Sequence, residues 1–300
     1  MPTITEHYGI AGHVDFLDID VESDNRIYVD PCAIRVVGSN SVHAATAVDC
    51  LDTFFGTVAS CAMSASAADR ARGAGLLRQF AEPFETRLGM AESGFRGHGG
   101  ASDVGAWIWS ALTNDLNALL NLGVLGRLEE LPLFIEGIGN DITSDITTRI
   151  VYSILVEFTN EMVLAHPEFT AGSNRVEAVR RQVWDVDRRE WMIVTVNLPV
   201  VDDEPLLLVP TQWARRSTLM SAGRYYETTL LTYAQAEQAV YASDGKLHTT
   251  PKRLLKRQPG LERGRLTNLN VTYRAIANSD NLLAMFTRFV TRQLGNELAG

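Results

Sequence analysis

Cysteine is scarce: three in 300 residues, at positions 32, 50 and 61, an odd number with no Cys-x-x-Cys pair. That argues against a disulfide framework and a cysteine zinc site, and fits reduced thiols buried as small apolar side chains. The six histidines, at 7, 13, 43, 98, 166 and 248, contain no helix-spaced metal pair and support no Ser-His-Asp or Cys-His arrangement. No stretch reaches the roughly 18 apolar residues of a membrane span. The most apolar helix candidate, 146–158, is interrupted by Arg149 and Glu157. Residues 1–6 lack the basic start and apolar run of a secretory signal, so a cytoplasmic protein with no membrane partner is expected. The Walker spacing and the dinucleotide fingerprint are missing, and no Glu-x-Lys element of the restriction-nuclease type lies in the strand regions.

What remains is an ordinary globular composition, 46% hydrophobic and 21% charged, with a formal charge of −9. A uniformly acidic surface would repel nucleic acid and anionic membranes. The charge is uneven, however. Between Lys246 and Arg274 stand eight Lys or Arg and a single acid, Glu262. A basic segment on an acidic body says more than the total.

Periodicity and turn residues predict an α+β protein: an N-terminal β-hairpin and helix-rich half, then a mixed β/α half. The hairpin joins 13–21 to 26–30 across Ser23-Asp24-Asn25. Helices follow over 42–67 and 67–81, the second weakened by Gly73 and Gly75. A short strand is expected at Leu131–Glu136, then a helix over 145–164 with Ser144 as its N-cap. After a linker at 166–174 come strands 183–186 and 190–198, a buried strand at 205–209, and helices over 211–242, 251–257 and 281–298. Two regions are expected, 1–170 and 171–300, or one continuous domain, since a chain of this length sits near the size at which a core divides.

Four segments could carry chemistry. In the first, Asp141 and Asp145 sit near a helix start after a glycine turn, among the hydroxyls of Thr143, Ser144, Thr147 and Thr148. Hard oxygen ligands suit Mg²⁺ or Mn²⁺, which could polarise a phosphate and activate water. The same residues could simply cap the helix, with Asp145 and Arg149 forming an exposed i,i+4 pair. In the second, Asp18 and Asp20 share a strand face and Asp30 ends the next strand. Such crowding needs solvent or a cation, and an exposed charged edge is the alternative. The third is the glycine-rich loop 94–100, where Arg96 could grip a phosphate and His98 stands among the glycines. The fourth is Lys252, Arg253, Lys256 and Arg257, one side of a short helix suited to phosphate contacts or to an acidic protein partner, followed by Arg263, Arg265 and Arg274.

The string Gly-Ile-Gly-Asn-Asp-Ile-Thr-Ser-Asp-Ile-Thr-Thr at 137–148 resembles one in an uncharacterised, unnamed family of bacterial proteins, with a weaker likeness at 206–210. The resemblance implies no function and no site. From the residues themselves, the leading expectation is a protein acting on nucleic acid, such as a divalent-metal-dependent phosphodiesterase. In it Asp141, Asp145 and Asp30 hold the metal, and Arg96 with the 252–257 cluster holds the backbone. The competing expectations are a non-catalytic binding subunit and a nucleotide- or phosphometabolite-binding enzyme.

Overall fold

The computed structural model describes residues 2–23, 25–38, 41–80, 82–89 and 101–299, without the side chains of 101, 102, 298 and 299. The chain opens on α1 (Ile4–Tyr8), closed by a capping box in which Thr3 and Glu6 satisfy each other's backbone N–H. The segment after it is extended. It does not form a hairpin with 26–30: Phe16 bridges Pro210, Asp20 bridges Thr3, and the Leu17 N–H donates to the Val209 carbonyl at 2.8 Å. The strand at 26–30 reduces to β1 (Tyr28–Val29), whose partner lies almost two hundred residues on. The reason is apolar. Phe16, Ile19 and Val21 enter a small cluster with Phe158, Phe169, Leu206 and Leu208, so the alternation marked an inward face correctly but not what that face meets.

The helical body follows. α2 (Pro31–Val37) starts at the Asp30 cap with proline in the first turn, and α3 (Val42–Met63) starts at Ser41. Ala47, Leu51, Phe54, Val58 and Ala62 give α3 its buried stripe. α4 (Ala67–Arg78) and α5 (Ala101–Thr113) pack unusually close, and glycine permits it. A Cβ on Gly73 would stand 2.5 Å from the Trp109 ring, and one on Gly105 would stand 2.1 Å from the Leu77 carbonyl oxygen. Gly73, which weakens the expected helix, is thus a packing requirement of it. After α6 (Asn117–Asn121), the expected strand at 131–136 is instead a 3₁₀ turn, Leu128–Leu133. Pro132 has no N–H for a ladder, and Leu131 and Leu133 reach the core from a turn just as well.

α7 (Asn140–Ile150) and α8 (Tyr152–Ala165) replace the single expected helix. α7 starts at Gly139, five residues before Ser144; the Ser144 hydroxyl instead accepts from the Val29 N–H at 2.9 Å, tying β1 to the helix. The long hairpin of β2 (Val176–Asp185) and β3 (Glu190–Val201) turns at 186–189 as expected, with Trp184 opposite Trp191. Both indoles pack against Phe54, edge-on and tilted, with ring centroids 5.0 and 5.4 Å away, so they are core rather than a stacking platform. β4 (Glu204–Pro205) extends that sheet, the Leu206 N–H still donates to the Pro199 carbonyl of β3 at 2.8 Å, and the leucines of 206–208 are buried.

β5 (Ala214–Arg215) pairs with β1. A continuous helical run then spans α9 (Ala222–Tyr225), a π-turn (Tyr226–Leu230) and α10 (Leu231–Glu237), about half the helix expected over 211–242. An exposed two-stranded hairpin, β6 (Val240–Tyr241) and β7 (Leu247–His248), leads to the short α11 (Lys252–Leu255), then α12 (Arg265–Ala277) and α13 (Leu282–Ala299). The fold is α+β, mostly helical with small antiparallel sheets. Its main apolar cluster runs from Val29 to Leu294 and draws on residues to both sides of position 170. No helix among the described residues is long and apolar enough to cross a membrane.

Candidate anion-binding site

The conspicuous carboxylates are mostly engaged by the fold. Asp30 is fully buried, and its two oxygens accept from the Cys32 N–H at 2.9 Å and the Leu219 N–H at 2.8 Å. Burial pushes its pKa up to about 6 against the pull of those bonds. It caps α2 and pins a segment 189 residues away, which corrects its expected role as a metal ligand. Asp18 accepts from the Thr5 N–H and from the hydroxyls of Thr3 and Thr5, and Asp20 accepts from the Glu22 N–H. Both are thus engaged by N–H or hydroxyl donors of their own surroundings, and neither depends on a cation for a partner. Among the described residues no three His, Cys, Asp or Glu side chains are placed to hold a metal ion.

Asp141 and Asp145 do come together, one turn apart on α7. Asp145 is half-buried. Desolvation first, then repulsion from Asp141 and Glu82, pushes its carboxyl up to about 8. Arg149 opposes this only weakly, because it is itself buried and turned elsewhere. Its guanidinium donates to the Glu82 carbonyl at 3.1 Å and lies 4.7 Å from the centre of the Tyr152 ring. The exposed Asp145–Arg149 pair expected from the spacing is therefore an interior arrangement. Nearby, buried Glu85 pairs with Arg181. Arg96, His98 and the rest of the 94–100 loop lie outside the described residues.

The basic helix is also partly engaged. Lys252 donates to the Glu227 carbonyl at 2.8 Å and the Thr232 hydroxyl at 2.7 Å, and Lys256 pairs with the Glu227 carboxylate at 2.6 Å. These two clip α11 to the helical run while Leu255 fills the core beneath. Arg253 and Arg257 remain exposed on the outer side. A single stripe of four phosphate-binding cations is thus not what the structure presents. Farther on, Arg274 is bidentate to Glu237.

Unengaged positive charge collects elsewhere. A cleft of about 470 Å³ is lined by the apolar Pro132, Ile138 and Met220, by Arg224, Arg263 and Arg265, and by one carboxylate, Glu227, which Lys256 neutralises. None of the three guanidinium groups has a salt bridge or hydrogen bond among the described residues; Nη1 of Arg224 and Nε of Arg265 are buried with no partner. Gly139 and Asn140, the start of α7, line the cleft too. Gly139 offers no side-chain cap, and neither does Gly264 at the start of α12. Both helix starts therefore present backbone N–H groups and the positive ends of their dipoles here. Gly223 allows the closest approach: a Cβ there would stand 2.4 Å from Nη2 of Arg263.

The walls are firmly held. The Tyr226 hydroxyl donates to the Leu261 carbonyl at 2.6 Å, and the side-chain Oδ1 of Asn140 accepts from the N–H and hydroxyl of Thr218. Asn268 donates through Nδ2 to the carbonyls of Leu133 and Ala222, bridging the 3₁₀ turn and the helical run. A second hollow of about 260 Å³ opens from the same wall, sharing Gly223, Arg263 and Arg265 and adding Glu136, Tyr226 and Asn268. A third, of about 310 Å³, shares Arg224 and adds Arg215 and Arg216, the first of these paired with Glu297.

Sequence reasoning noted Arg263 and Arg265 only as the tail of a basic segment, and passed over Arg224. A local signal exists in Gly223-Arg224 and Arg263-Gly264-Arg265, each a glycine–arginine pairing at a helix start. That the two converge on a third helix start is a tertiary fact.

Neither a curated protein nor a solved structure matches the chain. A family model does, over residues 9–221. That span takes in 137–148 and 206–210, and it ends at the Ser221 cap of α9, so the cleft lies across its boundary. The chain belongs to the family that this model describes, a domain of unknown function (DUF8370).

Proposed function

We propose that the chain binds a phosphorylated small molecule in the cleft between the starts of α7 and α12. One observation carries the reading: three guanidinium groups line one concavity with no ion pair among the described residues, while the one carboxylate in the same lining, Glu227, is taken by Lys256. Like charges held together cost stability, and a dianion accepting their hydrogen bonds removes that cost. The volume falls in the range of small-molecule sites. A nucleic-acid backbone is the other phosphate source the sequence suggests, but the two exposed cations of the basic helix, Arg253 and Arg257, are not among the cleft-lining residues. A phosphodiesterase working through Asp141 and Asp145 would need further metal ligands beside them, and Asp30 is committed to two backbone N–H groups.

Calorimetry and thermal shift with inorganic phosphate, pyrophosphate and a single-stranded oligonucleotide test the proposal. Phosphate and pyrophosphate should raise the melting temperature, because a ligand of the native state stabilises it. Arg224→Gln or Arg265→Gln should weaken binding about 10- to 100-fold, the weight of a charge-assisted hydrogen bond. No shift with either anion at millimolar concentration would refute the reading. Binding by the oligonucleotide alone, unaffected by the two variants, would return the case to a nucleic-acid surface elsewhere.

A further inference from the structure

The hollow beside the cleft has the opposite chemistry on its far wall. Glu136 is exposed there, and its carboxylate accepts no hydrogen bond among the described residues. Asn268 is 1% exposed, and its Oδ1 has no partner among them. The orientation of that amide is fixed by its surroundings, since only Nδ2 can donate to the Leu133 and Ala222 carbonyls at 2.8 and 3.3 Å. An unpaired acceptor is therefore left buried in the wall of the hollow. Two acceptors next to Arg263 and Arg265 make a poor place for a second phosphate, and they demand a donor.

From this we infer that the ligand is a phosphorylated sugar or polyol. Its phosphate lies against Arg224, Arg263 and Arg265, and its hydroxyls donate to Glu136 and Asn268 in the adjoining hollow. This rests on the phosphate reading of the cleft. A hydroxyl fits where the other common donor, an ammonium group, does not, because the three arginines would repel a cation. A nucleotide base fits less well too. Tyr226, the one aromatic residue of the hollow among the described residues, is 1% exposed with its hydroxyl bonded to Leu261, so it offers no face for stacking. Arg263 and Arg265 border both compartments, which suits a ligand whose phosphate and hydroxyls are joined through a short carbon chain.

The test is calorimetry on the full chain with inorganic phosphate, glucose 6-phosphate, glucose and adenosine monophosphate. Glucose 6-phosphate should bind about tenfold more tightly than inorganic phosphate, the weight of one or two added hydrogen bonds, one to a carboxylate. Glu136→Ala, at an exposed position that leaves the fold intact, should erase that preference. The same variant should leave inorganic phosphate bound as well or better, since a repelling carboxylate is gone. Equal affinity for phosphate and the sugar phosphate, a preference untouched by Glu136→Ala, or tighter binding of adenosine monophosphate would each overturn the inference while the cleft reading stands. If inorganic phosphate itself fails to bind, the cleft reading falls and takes this inference with it.

Discussion

The two ends of one helix start divide the charge of this protein. On one side of α7, Asp141 and Asp145 face Glu82 and the buried Arg149. On the other, Gly139 and Asn140 face Arg224, Arg263 and Arg265. The acids are close in sequence, which made them conspicuous, and the nearby acid Asp30 is tied to the backbone. The arginines are spread over 42 positions of the chain and are inconspicuous, yet they converge with no partner among the described residues. Crowded charge in a sequence thus says little by itself. A charge becomes available to a ligand when the fold brings it to a concavity and withholds its counter-ion.

Asp30→Ala probes the engaged side most severely. It removes the cap of α2 and leaves the buried Cys32 and Leu219 N–H groups without acceptors. A lost cap costs about 1 kcal/mol and a buried unsatisfied group about 1–3, so about 2–4 kcal/mol should be lost in chemical denaturation. A loss within 0.5 kcal/mol would mean that this carboxylate is not structural, and the contrast with the arginines would fail.

Asp145→Asn should act in the other direction and depend on pH. The carboxyl is pushed up to about 8 in the folded chain, against an ordinary value near 3.9 unfolded. The folded state therefore holds this proton more tightly than the unfolded state does. The stability it contributes is fully present below about pH 4 and is lost as pH rises through about 8. Asparagine takes no charge, so the variant should be more stable than the native chain at pH 8 by about 1–2 kcal/mol, on the scale of relieving an uncompensated buried group. The gain should shrink towards pH 5. A destabilisation that grows with pH would show that the ionised form is favoured, as a bound cation would make it.

Local chemistry in the sequence reported what each segment is, and much less of what it meets. The α3 stripe, the turn near 187 and the core placement of Trp184 and Trp191 follow from spacing alone. The N-terminal strand failed because alternation identifies a buried face without its partner, which proved to be 206–210 rather than 26–30. Ser144 looked like a cap because serine before an apolar period usually is one, but its hydroxyl was taken by the Val29 N–H. Of the site, only the basic tendency of 246–274 was legible. Which of its cations are neutralised depends on Glu227, Glu237 and Asp244, all outside that window.

That last dependence gives the finest comparison, within the four cations once grouped together. Arg253 is exposed and lines none of the three hollows. Its reversal, Arg253→Glu, should change stability by less than about 0.5 kcal/mol and leave phosphate affinity unchanged. Lys256 does not line the cleft either, but its partner does: Glu227 is a wall residue whose carboxylate it neutralises. Lys256→Ala would release that negative charge beside Arg224 and Arg263. Phosphate should then bind about two- to fivefold more weakly, the range of an exposed ion pair, with the loss diminishing in high salt. Equal effects of the two variants would mean that the helix acts through its own charge. A loss confined to Lys256→Ala would mean that it acts by keeping Glu227 out of the arginines' way.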